Sequence, residues 1–149
     1  MKLSIITCTY NSEKYLQEPI DSVLLQNLNK NIYEHIFIDW NSTDNTIKIL
    51  ENYKNNNQEK KITIIQKEPK WIYNAMNEWV KFAQWEYITF LNSDDYYNKN
   101  VLNSYLSFIK KDWNKELYYW VNNIVNNNWD CLSEYPNKII YKKWLNAYI

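Results

Sequence analysis

The sequence predicts an α/β fold: a mostly parallel sheet flanked by helices. Three observations carry this expectation. Short runs rich in β-branched residues alternate with helix-like segments along the chain. The connections between them are short, as in strands joined through crossover helices. Polar clusters follow three of the strand-like runs, at Thr7–Asn11, Asp39–Asp44 and Asn92–Asp95. Parallel sheets bind ligands at the carboxyl ends of their strands, so these clusters mark one rim as a candidate site.

The elements follow in order. Leu3-Ser4-Ile5-Ile6-Thr7 reads as the first strand. Asn11 or Ser12 can cap a helix reaching Gln26, with Tyr15, Leu16, Ile20, Val23 and Leu24 on one face. Pro19 disturbs that helix or marks its first turn. His35–Asp39 is a second strand, and Ser42-Thr43-Asp44 starts a helix with Ile47, Ile49, Leu50 and Tyr53 inward. Asn55-Asn56-Asn57 ends it, before a third strand at Ile62–Ile65. Ile72–Gln84 is helical in period, Tyr87–Leu91 is a fourth strand, and Val101–Ile109 is a further helix. Leu117–Val121 is a candidate fifth strand, and the pattern weakens past Trp120.

Composition bounds the function. A chain of 149 residues with 46% apolar and 23% charged residues suits one domain with its own core. The formal net charge of zero draws it to neither nucleic acid nor anionic lipid. No apolar run is long enough to span a bilayer, and the Leu3–Ile6 run is too short for a secretory leader. Two cysteines, Cys8 and Cys131, make no disulfide framework, so a reduced cytoplasmic setting is the default. The one histidine, His35, lies on a strand and reads as a packing residue. A histidine-based triad and a multi-histidine zinc site are excluded.

One absence stands out: the chain has no glycine and eight tryptophans. Ordinary usage would supply roughly ten glycines, and chance would remove them all about once in ~10⁴ to 10⁵ chains. Trp40 follows a strand and opens a turn, and Trp85 stands where a left-handed helix end takes glycine. Trp113 and Trp129 lie in polar loops. All 17 basic residues are lysine and 24 residues are asparagine, as in an AT-rich gene. Bacterial codes differ in reading UGA as glycine or tryptophan, so UGA recoding is one explanation. Genuine tryptophans in a lineage that reads UGA so are the other, which leaves the missing glycines unexplained.

The rim residues carry chemistry and plainer alternatives together. Asp94-Asp95 after a hydrophobic strand offers hard carboxylate oxygens to Mg²⁺ or Mn²⁺; two solvated turn residues are the plain reading. Asp39 can accept hydrogen bonds from a base or sugar, or cap the following helix. Thr7, Tyr10 and Asn11 can frame a base by stacking and amide bonding, or serve as turn residues. Neither a GxxxxGK[ST] loop nor a GxGxxG fingerprint is present, even with Trp read as Gly.

Four ordered blocks then carry a family resemblance. They are Ser4-Ile5-Ile6-Thr7-Cys8-Thr9-Tyr10-Asn11-Ser12, Ile38-Asp39-Trp40-Asn41-Ser42-Thr43-Asp44-Asn45-Thr46, Glu68-Pro69-Lys70-Trp71-Ile72-Tyr73-Asn74-Ala75-Met76-Asn77, and Trp85-Glu86-Tyr87-Ile88-Thr89-Phe90-Leu91-Asn92-Ser93-Asp94-Asp95. Together they resemble the family 2 glycosyltransferases, whose patterns read xTYN, DGxSTDxT, EPDxGIYDAMNxG and GEYIxFLNSDD. Each mismatched family glycine is a tryptophan here: Trp40, Trp71, Trp79 and Trp85, with Trp120 matching a further one.

The resemblance implies the GT-A (Rossmann-like) nucleotide-sugar fold. It also implies inverting transfer of a sugar from a nucleotide-diphosphate donor, UDP-linked, to a glycan or lipid-linked acceptor hydroxyl. Carried over, Thr7, Tyr10 and Asn11 line the base and ribose, and Asp39 hydrogen-bonds the base. Asp94 sits by the ribose and sugar phosphate, and Asp95 coordinates Mn²⁺ or Mg²⁺, which offsets charge on the leaving diphosphate. Such families serve polysaccharide or glycolipid assembly, which by analogy implies peripheral association with the inner membrane face.

A general base should take the acceptor's proton. Acids after Asp95 are Asp112, Glu116, Asp130 and Glu134, and none stands in a matching motif. The expectation is therefore a nucleotide-sugar-binding domain over 1–125 and an incomplete start of the acceptor-side region over 126–149. The chain then reads as the donor half of such an enzyme, truncated at its C-terminus. A catalytically inactive nucleotide-sugar-binding remnant is the alternative, and a nucleotidyltransferase-like enzyme is a weaker one.

Overall fold

The structure is a computed structural model that describes residues 2–68, 79–111, 117–125 and 131–142. The strands are β1 (Leu3–Thr9), β2 (Tyr33–Asp39), β3 (Lys61–Gln66), β4 (Tyr87–Phe90), β5 (Leu117–Val125) and β6 (Cys131–Lys142). The helices are α1 (Gln17–Leu24), α2 (Thr46–Asn56) and α3 (Val101–Lys111). The strands form one six-stranded sheet in the order β3-β2-β1-β4-β6-β5. The first four run parallel, and β6 pairs antiparallel with both β4 and β5.

This is the mostly parallel α/β sheet that the alternating pattern predicts. The boundary expected after 125 falls between β5 and β6, two strands of the same sheet. Of the helix predicted from Ile72 to Gln84, residues 72–78 lie outside the described residues, as do Trp71, Trp113 and Trp129. Residues 80–84 are not helical but form a turn into β4, closed by the Phe82 amide on the Trp79 carbonyl and the Ala83 amide on the Val80 carbonyl.

Strand alternation sorts the core onto two faces. Leu3, Ile5 and Tyr87 face Val23 near the end of α1 and Leu102, Tyr105, Leu106 and Ile109 of α3. Phe37 and Ile62 face Leu16, Ile20, Leu50 and Tyr53 on the α1 and α2 side. On the opposite face Ile6, Ile36, Ile38 and Ile88 pack against Trp79 and Ala83. Burying one such aliphatic side chain contributes about 1.5–3 kcal/mol.

The helix starts differ from expectation. Neither Asn11 nor Ser12 caps α1 by its side chain. Instead the Ser12 carbonyl accepts the Tyr15 and Leu16 amides, forming a turn that leads into the helix. Pro19 lies in the first turn of α1, where its missing amide costs no helical bond.

His35 is fully buried, shares a 3.0 Å hydrogen bond with Thr7 through Nε2, and stacks on Phe37 at 4.0 Å. Burial lowers its pKa from 6.5 to about 3, so it is a neutral core residue. At the amino end of the sheet the buried Glu34 carboxylate accepts Ser4 Oγ at 2.6 Å and the Gln84 amide at 2.7 Å. Lys61 Nζ lies 3.2 Å from the other oxygen. A buried charge must be held this way, because an unpaired one is expensive.

Positive φ angles fall on Asn11, Asn27, Asn41 and Asn100 among the described residues. Trp40, Trp79 and Trp85 are not among them, which corrects the expectation of a left-handed backbone at Trp85. Asparagine tolerates this region because its short side chain bonds locally. Trp79 is buried and its ring centroid lies 5.8 Å from Trp40 and 6.3 Å from Phe90. The Trp85 ring sits under the Lys2 and Lys61 ammonium groups, at 5.4 and 5.3 Å.

Candidate donor site at the carboxyl ends of the strands

The order β3-β2-β1-β4 reverses direction at β1, with chain neighbours on one side and β4 on the other. A reversal of this kind opens a crevice outside the strand ends, where ligands bind in open α/β sheets. The loops after β1, β2 and β4 meet there.

Thr9 and Asp39 are register partners at the last positions of β1 and β2. The Thr9 hydroxyl donates to Asp39 Oδ1 at 2.8 Å, and the Ser42 hydroxyl donates to the same oxygen. The Ser42 amide donates to Asp39 Oδ2 at 2.8 Å. Asp39 is fully buried. A carboxylate offers about four acceptor positions, so these donors occupy most of them. The carboxylate thus organises the turn after β2; it does not cap α2, which begins at Thr46 behind Asn45.

Asn11 stitches the β1 loop to the β2 loop. Its amide donates to Ser42 Oγ at 2.9 Å, while its side-chain Oδ1 accepts the Thr43 amide at 2.9 Å. The αL backbone of Asn11, φ 47°, turns both groups toward the β2 loop. Ser12 reaches the third loop. Its hydroxyl donates to Ser93 Oγ at 3.0 Å, and its amide donates to Thr46 Oγ1 at the start of α2 at 2.8 Å.

The acidic turn follows β4 directly. Leu91 is anchored by its amide to the Ile6 carbonyl at 2.9 Å. Asn92 Nδ2 donates to Asp95 Oδ2 at 3.0 Å. Asp94 is exposed and Asp95 half-buried. Tyr97 is buried behind this turn, its hydroxyl 3.1 Å from Thr89 Oγ1; burial raises its pKa.

These carboxylates are hard oxygen donors of the kind that Mg²⁺ and Mn²⁺ take. Among the described residues no three His, Cys, Asp or Glu side chains gather. A cation held by this turn would share its ligation with phosphate and water, the donor set such cations commonly take.

The sequence-predicted residues separate in the structure. Asn11, Asp94 and Asp95 lie on the converging loops, Asp39 ends β2 beneath them, and Tyr10 is exposed beside them. Thr7 does not reach the rim: it is fully buried, bonded to His35 inside the sheet. Thr9 holds the rim position instead. The register places Thr9 there, because it pairs with Asp39 at the strand ends; alternation alone does not separate it from Thr7, two residues back on the same face. Ser12, Ser42 and Ser93 went unnoticed as linkers, since serine in a turn has a ready local explanation.

The family model for Glycosyl transferase family 2 matches residues 4–143. The chain belongs to Glycosyl transferase family 2. It is 37% identical over 109 residues to the poly(ribitol-phosphate) beta-N-acetylglucosaminyltransferase TarS of Staphylococcus aureus strain Mu50, covering 73% of this chain and 19% of TarS. It is 33% identical over 147 residues to WfgD of Escherichia coli, a UDP-Glc:alpha-D-GlcNAc-diphosphoundecaprenol beta-1,3-glucosyltransferase, covering 96% of this chain and 54% of WfgD.

The crystal structure of S. aureus TarS 1-349 in complex with UDP superposes with a TM-score of 0.73 at 28% identity, covering 95% of this chain and 47% of that one. The mannosyltransferase PcManGT from Pyrobaculum calidifontis, in complex with GDP-Man and Mn²⁺, shares the fold with a TM-score of 0.67 at 19% identity, over 72% of this chain and 32% of that one. The fold is thus that of the GT-A glycosyltransferases. The chain spans about half or less of the length of these family 2 relatives. No helix among the described residues is long and apolar enough to cross a membrane.

Proposed function

We propose that this chain is the donor-binding part of an inverting glycosyltransferase that takes its sugar from a UDP-linked donor and passes it to a glycan or lipid-linked hydroxyl. One observation carries the reading. The β1 loop is hydrogen-bonded to the β2 loop through Asn11 and Ser42, and to the acidic β4 loop through Ser12 and Ser93. A single ligand can therefore touch all three loops.

Tyr10 offers an exposed ring for stacking on the base. Asn11 and Asp39 hold the nucleoside side of the crevice; a base would bond Asp39 at the one acceptor position left on Oδ2 or by displacing the Thr9 or Ser42 hydroxyl. Asp94 would face the ribose and sugar phosphate. Asp95 would hold Mn²⁺ or Mg²⁺, and the bound cation would offset charge on the leaving diphosphate. The work would be done at the cytoplasmic face of the membrane, by peripheral association. Acids that could take the acceptor proton, Asp112, Glu116, Asp130 and Glu134, have side chains outside the described residues.

The tryptophans belong to this reading. Trp40, Trp71, Trp79, Trp85 and Trp120 match family glycines, and the chain has no glycine of its own. Misreading of UGA accounts for both. The gene decides the point: UGG codons at these positions would end the idea.

The test of function is calorimetry of UDP binding with and without Mn²⁺, followed by UDP release from UDP-sugars with and without an acceptor extract. Metal-dependent binding that is lost in Asp95→Ala, together with acceptor-stimulated release, is expected. Binding without turnover at any pH would favour a nucleotide-sugar-binding remnant. No binding would overturn both.

A further inference from the structure

We infer that Ser12 is a positioning residue that fixes the acidic turn relative to the nucleoside side of the crevice, with Ser93 as its counterpart. This rests on the donor-site reading above. Ser12 is buried, although it stands in a surface loop between β1 and α1. Its amide is tied to Thr46 Oγ1 at 2.8 Å, which fixes it to the first residue of α2. Its hydroxyl donates to Ser93 Oγ at 3.0 Å, across 81 positions of sequence. The same hydroxyl accepts the Tyr10 amide at 3.2 Å, and the Tyr10 carbonyl, also at 3.2 Å, shares its one proton with Ser93.

One side chain thus joins Tyr10, which would stack on a base, to the turn Asn92–Asp95, which would face the diphosphate. Capping cannot account for this hydroxyl, because α1 begins at Gln17 with no side-chain cap. A nucleoside diphosphate is a ligand whose two ends need a set separation. A hydrogen bond between the two loops is how a crevice imposes one, since positioning errors of about 1 Å already weaken a preorganised site.

The consequence is selective. Loss of the link should weaken ligands that span both loops and spare ligands that touch only one. In Ser12→Ala the Thr46 tie through the amide stays, so the loop keeps its main anchor. Neutral hydrogen bonds of this kind are worth about tenfold in an equilibrium at most. Calorimetry of the 149-residue chain with UDP plus Mn²⁺, and with uridine alone, reads the difference. Ser12→Ala and Ser93→Ala should each weaken UDP–Mn²⁺ by about tenfold and leave uridine within about twofold. The double variant should be no weaker than either single one, because both remove the same link. Ser12→Thr, which keeps the hydroxyl, should restore UDP binding.

Additive losses, or equal weakening of uridine and UDP, would show a general structural role and overturn the inference. So would wild-type affinity in a folded Ser93→Ala. Failure of the wild-type chain to bind UDP would instead strike the donor-site reading.

Discussion

Lowering the pH from 7 to 5 should destabilise this protein through one side chain. His35 is fully buried between Thr7, Phe37 and Tyr53, and burial lowers its pKa from 6.5 to about 3. The unfolded chain binds a proton near pH 6.5, while the folded one does so only near pH 3. Between these values the unfolded state carries more protons, so stability falls as pH falls. At pH 5 the difference from this group alone is about 2 kcal/mol. For a chain of this size that lowers the midpoint of thermal unfolding by about 6 °C. The assay is urea unfolding at pH 7 and pH 5 for the wild type and for His35→Gln, which keeps a polar partner for Thr7 but does not titrate. The wild type should lose about 2 kcal/mol more than the variant. Parallel pH dependence in the two proteins would show that His35 does not carry the effect.

Other perturbations follow from the same framework. Glu34→Ala strands the Ser4 hydroxyl, the Gln84 amide and Lys61, and should cost about 2–3 kcal/mol in chemical denaturation. Because Glu34 lies at the far end of the sheet, UDP affinity of the folded variant should not change. Thr9→Val removes a donor to the Asp39 carboxylate and should cost about 1.5–3 kcal/mol, with weaker UDP binding. Unchanged stability would mean that the bond is not formed in solution. Replacing all eight tryptophans with glycine should raise the unfolding midpoint if these positions are family glycines, since overpacking costs about 1–3 kcal/mol per buried site. A lower midpoint would show that Trp79 and its ring neighbours are native core, where losing a buried tryptophan costs about 3–5 kcal/mol.

Much of the fold was legible because its signals are periodic. The β-branched runs of β1 to β4 and the helical spacing of Ile20 and Val23, or Leu50 and Tyr53, follow from burial alone. The β6 strand was missed because its insertion between β4 and β5 is a long-range pairing that leaves no local signal beyond alternation. The convergence of the three polar loops at one rim was legible. Thr7 was misplaced because polarity near a strand end does not say which residue is the last; pairing with Asp39 selects Thr9. Trp85 was misread for a related reason. Glycine-like context does not require positive φ, and here asparagines occupy those positions. The serine links were hidden because each joins loops distant in sequence, and a turn serine looks the same with or without a partner.

The loops after β1, β2 and β4 are proposed to enclose one ligand. Paramagnetic broadening by Mn²⁺ in the presence of UDP tests it most directly, read on the backbone amides of the labelled chain. Loss of signal is expected together at Asn11–Ser12, Asn41–Thr43 and Asn92–Asp95, reversed by Asp95→Ala. Broadening confined to the Glu34 and Lys61 end of the sheet, or split so that only one loop responds, would contradict it.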